Sequence, residues 1–221
     1  MKQNFAVIGL GRFGTSICRV LAAEQQEVLA IDINEDRVND LADVATEAIV
    51  ADAQDEETLR SLEIGKFDHV IVAIGKNIQA NILVTLIVKE LGVPDITAKA
   101  ENDTHARVLT RIGADQVVHP ERDMGERVAH HLLSPNILNY LAINDDVTMA
   151  EVKITSSAFV GKSLTELNFH QRFGLTVIAI QHGDNVTVSP AGTDVVQLND
   201  EISVVGPTRA VEELNDRMSS R

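Results

Sequence analysis

Residues 5–32, FAVIGLGRFGTSICRVLAAEQQEVLAID, decide the fold. The apolar run Phe5, Ala6, Val7, Ile8 meets Gly9, Gly11 and Gly14 in G-x-G-x-x-G spacing, with Arg12 and Phe13 between the last two glycines. Ile17, Val20 and Leu21 then recur at the helical period, and 28–31 reads as a second strand ending in Asp32. The glycines serve three different ends, since the first permits the tight turn, the second lets backbone approach a phosphate, and the third packs helix close on strand. Free N–H groups and the positive dipole end at the helix N-terminus favour that anion. Asp32 falls close to the ~20-residue offset of the acid that takes ribose hydroxyls. The stretch predicts a bound adenine nucleotide; the alternative is a structural turn capping an empty sheet.

Working outward, Asn34 caps a helix with Val38, Leu41 and Ala42 on one face, followed by a strand over 48–51 and Asp52. Asp55 caps a helix that turns Leu59 and Leu62 inward and ends at Gly65, and 68–74 (DHVIVAI) is a continuous apolar strand of the doubly buried kind. A long helix over 75–91 turns Ile78, Ile82, Leu86 and Ile87 inward and stops at Gly92 and Pro94. A strand over 96–100, a helix with Val108, Leu109 and Ile112, and a strand over 116–119 complete the series. Six strands alternating with helices over about 120 residues predict an α/β, Rossmann-like, doubly wound parallel sheet with its ligand crevice beyond the strand C-termini.

A helix pattern over 121–133 (Met124, Val128, Leu132) runs past the sheet, and Ser134 and Pro135 cap a short helical successor through Leu141. Such a helix needs another apolar surface; a second copy of the chain is the expected partner, folding back on its own domain the alternative. Asn144, Asp145 and Asp146 read as a linker. Beyond Thr148 come strands over 152–155, 175–181, 186–189 and 202–206, a helix opened by the Ser163/Glu166 capping box with Leu164 and Leu167 inward, a Gly183-Asp184 hairpin turn and a last helix with Val211, Leu214 and Met218. They predict a smaller α+β domain of roughly 75 residues, marginal on its own core, with Phe159, Ile178 and Ile180 exposed for pairing with another subunit.

Across 221 residues the composition is ordinary for a globular chain, 44% hydrophobic and 24% charged. A formal charge of −14 and the absence of a basic stripe argue against a nucleic-acid partner. With no export-signal pattern and no uncharged apolar run of about 18 residues, a cytoplasmic chain without direct membrane insertion is expected. Cys18 reads as a buried hydrophobe, and a single cysteine supplies no disulfide or zinc framework.

Four strand ends bring Asp32, Asp52, Gly75 and Lys99 to the crevice. Asp52 with Ala53 can accept from an adenine amino group or a ribose hydroxyl, Gly75 lets the chain run close to a ligand, and Lys99 adds a positive charge; for each alone a turn role is the alternative. Arg12 at the phosphate end favours a terminal phosphate, as in ATP. Asp32 would repel a 2′-phosphate, so NADP is disfavoured. Glu121, after His119 and Pro120, can hold Mg2+ or another cation on a nucleotide phosphate, or simply favour the helix N-terminus. His130 and His131 are adjacent on a helix, point to different faces and read as solvated. With no hydrolase triad order, no Walker lysine loop, no metal-ligand spacing and no acid–base pair after residue 150, a non-catalytic nucleotide sensor is expected, an NAD-dependent oxidoreductase being the alternative.

FAVIGLGRFG, VADAQDEETL, FDHVIVAIGKNIQA, LTRIGADQVVHPERDMG and LNYL together resemble the Ktr-type cytosolic potassium-uptake regulators of the RCK (TrkA) family, over essentially the whole chain. The resemblance implies a nucleotide-binding unit over 1–120 (RCK-N), crossover helices over 121–143 exchanged within dimers, and a C-terminal regulatory unit over 144–221 (RCK-C). It implies a homo-octameric ring, a tetramer of dimers, docked under a membrane potassium-transporting subunit of the KtrB/KtrD type. ATP and ADP compete in the crevice and reshape the ring; NAD(H) is a further ligand. Family contacts fall on Arg12 for the terminal phosphate, Asp32, Ile33 and Asn34 for the ribose, and Asp52 and Ala53 for the base. They continue through Ile74, Gly75, Lys76, Lys99, Ala100, Glu101 and His105, with Glu121 near the phosphates and a divalent cation. Relatives bind cyclic di-AMP across the C-terminal dimer interface, where a basic residue often follows the position of Phe169; this chain has His170.

Overall fold

Val7, Ile8, Ala30, Ile31, Val70 and Val72 are excluded from solvent almost completely, as residues of a sheet covered on both faces must be. The structure is a computed structural model that describes residues 3–134, 136–144 and 146–219, and only the backbone of 130 and 219. The chain divides into two compact units, Met1–Arg122 and Asp123–Arg221.

In the first unit β1 (Asn4–Ile8), α1 (Arg12–Ala23), β2 (Glu27–Asp32), α2 (Glu35–Asn39), β3 (Glu47–Val50), α3 (Glu56–Ser61), β4 (His69–Val72), α4 (Ile78–Glu90), β5 (Asp95–Lys99), α5 (Asp103–Arg111) and β6 (Gln116–Val118) alternate as the periodicity predicts. The six strands lie parallel in the order β3-β2-β1-β4-β5-β6. Strand order reverses between β1 and β4, where a doubly wound sheet opens its crevice. One apolar layer gathers Leu59, Val84, Val88 and Leu109; the other gathers Cys18, Val38 and Leu41.

Two helices are rotated relative to the sequence reading. On α1 the buried residues are Gly14 and Cys18, flanked by Phe13, Ile17 and Leu21, so Val20 points away and is 62% exposed. On α4 the buried stripe is Ala80, Val84, Ile87 and Val88 with the polar Asn81 and Thr85, which leaves Leu86 on the far side and Ile78 at the edge. The polar pair turns inward because the core supplies its hydrogen bonds.

The second unit is built on a five-stranded antiparallel sheet in the order β10-β9-β11-β8-β7, from β7 (Ile137–Ala142), β8 (Val147–Lys153), β9 (Thr176–His182), β10 (Asn185–Val188) and β11 (Glu201–Pro207). Its helices are α7 (Leu164–Leu167), opened by the predicted Ser163/Glu166 capping box, α8 (Phe169–Phe173) and α9 (Thr208–Ser219).

Three expectations are corrected here. After α6 (Pro120–Leu133) the chain does not enter a second helix; Ile137–Ala142 is a strand, paired with β8 from Ile137↔Val152 to Ala142↔Thr148. Its Ile, Tyr and Leu favour a pleated, half-buried surface, and the neighbouring strand takes up its backbone groups. Pro135, in the expected cap, lies outside the described residues. The supposed linker is the β7–β8 turn: Ile143 N–H donates to the Val147 carbonyl at 2.9 Å, and the Asn144 carboxamide oxygen accepts from the N–H of Asp146 and Val147; Asp145 lies outside the described residues. Phe159 and Ile180 are buried and Ile178 is half-buried. Phe159, Phe169 and Phe173 form an aromatic cluster with centroids 6.0–6.4 Å apart, because so small a unit needs its largest side chains inside.

Met124, Val128, Leu132 and Leu133 of α6 are all at least half exposed. His131 donates its Nδ1–H to the Ile137 carbonyl at 3.3 Å; the side chain of His130 lies outside the described residues. Among the described residues no helix is long and apolar enough to cross a membrane.

Candidate functional site

The C-terminal ends of β1 to β5 enclose a cleft of about 730 Å3, within the range that holds cofactor-sized ligands. Its floor is apolar: Ile8, Ile31, Ala51, Ala73, Ala80 and Val84.

The glycine turn forms one wall. Gly9 has φ +99° and donates its N–H to the Ile31 carbonyl at 2.8 Å, while the Ile8 carbonyl accepts from Ala73 N–H at 2.7 Å, so the turn is tied to both neighbouring strands. A Cβ at Gly14 would fall 2.0 Å from the Gly9 carbonyl oxygen; Gly14 is the packing glycine and does not line the cleft. At Gly11 a Cβ would meet nothing within 4 Å. Open space therefore lies over the turn where α1 begins, and its first N–H groups have no intrahelical partner. Arg12 and Phe13 line the cleft here, and Arg12 is exposed and makes no ion pair among the described residues.

Asp32 is buried at the end of β2. Its Oδ2 accepts from Leu10 N–H at 2.7 Å and from Arg37 Nη1 at 3.3 Å, and its Oδ1 accepts from Asn34 N–H at 2.9 Å. The carboxylate thus ties the glycine turn to the start of α2. Ile33, 69% exposed, continues this wall, whereas Asn34 faces away as the cap of α2, accepting from Arg37 N–H. After β3, Asp52 accepts from the backbone and side-chain N–H of Gln54 beside buried Ala53.

After β4 the wall is Ile74, Gly75, Lys76 and Asn77; Asn77 caps α4, and Lys76 is exposed with no ion pair among the described residues. A Cβ at Gly75 would lie 2.8 Å from Glu101 Oε1 and 3.3 Å from Lys99 Nζ. Lys99, with a side chain only 9% exposed, donates to Glu121 Oε1 at 2.6 Å and lies 3.6 Å from Glu101 Oε1. The hydrogen bond from Lys99 holds the Glu121 carboxyl below its ordinary 4.5, with the lysine's charge adding to it. Ala100 is in the core, its N–H donating to the Val118 carbonyl. His105 is buried behind the wall: its Nδ1 accepts from Glu101 N–H at 3.3 Å, its Nε2 has no hydrogen-bond partner among the described residues, and burial pushes its pKa below 6.5.

Of the residues singled out from the sequence, Gly9, Gly11, Arg12, Phe13, Asp32, Ile33, Asp52, Ala53, Ile74, Gly75, Lys76, Lys99, Glu101 and Glu121 share the cleft; Gly14, Asn34, Ala100 and His105 support it without lining it. Arg37, Gln54 and Asn77 also line it and were missed. Asn77 had a legible signal, a capping residue ahead of an apolar helical run. Among the described residues Asp32 is paired to Arg37 and Lys99 to Glu121, whereas the cleft cations Arg12 and Lys76 make no ion pair. No group of three or more metal-ligating side chains occurs among the described residues.

Residues 5–120 match the TrkA-N domain and residues 149–219 the TrkA-C domain. The chain is 48% identical to Ktr system potassium uptake protein C of Bacillus subtilis (strain 168), covering 99% of this chain and 98% of that one. It is 44% identical to Ktr system potassium uptake protein A of the same organism, covering 96% and 95%. In fold it is like the GsuK channel bound to NAD (TM-score 0.66, 19% identity, 99% of this chain and 40% of that one), and like the same protein bound to ADP (0.53, 18%, 62% and 36%). With both domains matched and near full-length relatives at this identity, the chain belongs to the RCK (TrkA) family, in the group of the Ktr system potassium uptake proteins A and C.

Proposed function

We propose that this chain is a non-catalytic, nucleotide-binding regulatory subunit of a potassium-uptake system, peripheral to the cell membrane through a membrane potassium-transporting subunit. The observation that carries the reading is the open space over Gly11 at the N-terminus of α1, with Arg12 beside it making no ion pair among the described residues, in the crevice where strand order reverses. Backbone N–H groups and Arg12 meet the phosphates, Asp32 and Ile33 the ribose side, and Asp52 with Ala53 the base. A third phosphate gives Arg12 an additional partner, so ATP and ADP differ in the contacts they offer the chain. Differential affinity for two shapes is what lets a ligand shift an assembly between them.

The cation role of Glu121 belongs to the same reading: with one carboxylate from the chain, Mg2+ takes its other ligands from phosphates and water. The assembly is an octameric ring of dimers, supported by family membership and by the apolar face of α6, with the 121–143 segment between dimer partners. Cyclic di-AMP at the 144–221 unit rests on the family resemblance alone. NAD(H) is a competing ligand, supported by its presence in the GsuK channel of like fold.

Titrating the purified chain with ATP, ADP and NADH, with and without Mg2+, while following assembly size by light scattering, tests the reading. Tight ATP and ADP binding with different assembly shapes is the expected result. Preference for NADH with substrate-dependent oxidation would establish the oxidoreductase instead.

A further inference from the structure

In the first turn of α4, just ahead of the apolar Ile82–Val84, Asn81 is completely buried. Its Nδ2 donates to the Ile74 carbonyl at 2.5 Å and to the Lys99 carbonyl at 3.1 Å, and its Oδ1 accepts from Thr85 Oγ1 at 3.5 Å. Thr85 is also fully buried. Two acceptor carbonyls fix the amide's orientation, because only its amino end can donate twice.

The position of those two carbonyls gives the contact its meaning. The β4–β5 ladder ends at the pair Val72↔Ala98. Beyond it one chain runs through Ile74, Gly75 and Lys76 toward α4 and the other through Lys99 to Glu101 toward α5, so the backbone no longer ties them directly. Asn81 supplies one more rung from the side. The two walls lie close together here, since a Cβ at Gly75 would fall 2.8 Å from Glu101 Oε1 and 3.3 Å from Lys99 Nζ.

We propose that Asn81 is a positioning residue of the cleft: by clamping the Ile74 and Lys99 carbonyls it sets the spacing of the Gly75 and Lys99 walls and aims the Lys99 ammonium. It touches no ligand itself; it acts through Lys99. The inference rests on the proposed function, since it concerns how the cleft holds a nucleotide. Asn81→Leu keeps the branched shape with a somewhat larger volume and removes both donors, while Asn81→Ser retains one short donor that cannot span the walls.

The experiment is a double-mutant cycle on the full chain. ADP affinity is measured by calorimetry for the parent, Asn81→Leu, Lys99→Met and the double variant, with Asn81→Ser replacing Asn81→Leu should the latter not fold. Asn81→Leu is expected to weaken ADP about tenfold in the parent and by less than about twofold in the Lys99→Met background, because residues acting through one another are non-additive. A purely architectural role would give the same loss in both backgrounds. That additive result, or an Asn81 variant binding ADP as tightly as the parent, overturns the inference and leaves the proposed function standing. A parent chain that binds no nucleotide removes the proposed function, and the inference with it.

Discussion

The glycine turn separates packing from ligand approach, and two single-methyl substitutions distinguish them. In Gly14→Ala the new Cβ would sit 2.0 Å from the Gly9 carbonyl oxygen and 3.2 Å from Ala73 Cβ, where ordinary contact begins at 3.4 Å. The blocking atom is backbone. Gly9 is held in place by its N–H bond to the Ile31 carbonyl at 2.8 Å. Helix α1 must therefore move off β1 by roughly 1 Å, in the range where overpacking costs about 1–3 kcal/mol. The Gly-to-Ala gain inside a helix, about 1 kcal/mol, offsets part of this, and a net loss of about 2 kcal/mol is expected from the upper end of that range. Gly11→Ala meets nothing within 4 Å and has φ −72° and ψ −173°, ordinary for alanine. Its small capping cost and its gain through the unfolded chain nearly cancel, leaving about 0.5 kcal/mol or less. Because the chain has two units, amide hydrogen exchange at 5–8 and 69–72 is the suitable measure, reporting local opening free energy. Gly11→Ala should match the parent in exchange yet bind ATP more weakly, its methyl occupying the phosphate's approach. Unchanged protection in Gly14→Ala would refute the packing account; full ATP affinity in Gly11→Ala would refute the ligand account.

Arg12→Ala is expected to weaken ATP more than ADP in calorimetric titration, and equal losses would remove the terminal-phosphate assignment. Lys99→Met should return the Glu121 carboxyl toward its ordinary 4.5, followed by carboxyl NMR titration. The sign follows from the depressed value: the pair's contribution is present at neutral pH and above 4.5 and is lost as pH falls through the lower folded value. Since the Glu121 side chain is 71% exposed, this contribution is small, and unchanged titration in the variant would mean that Lys99 is not its cause. Phe159→Ala should cost about 3–5 kcal/mol, read as faster amide exchange in β8 and β11; a surface-like change below about 0.5 kcal/mol would return Phe159 to the exposed role its sequence setting suggests.

What could be read along the chain was what is local. Glycine spacing, apolar runs and capping residues specify the alternation of strands and helices and place Asp32, Asp52, Gly75 and Lys99 at strand ends, because hydrophobic period and turn chemistry act over a few residues. The Ser163/Glu166 box and the Gly183-Asp184 turn are local in the same sense. Decisions taken across long sequence separations were not legible. Residues 137–142 became a strand because β8 offered an open edge, Val20 and Leu86 faced outward because strand neighbours selected which stripe of each helix to bury, and Phe159 went inside because two other phenylalanines met it. In the cleft the sequence determined which charges would arrive, and tertiary structure decided which remain free. Among the described residues Asp32 is bonded to Leu10, Asn34 and Arg37 and Lys99 to Glu121, while Arg12 makes no ion pair, since an ion pair depends on distances that only the folded chain fixes.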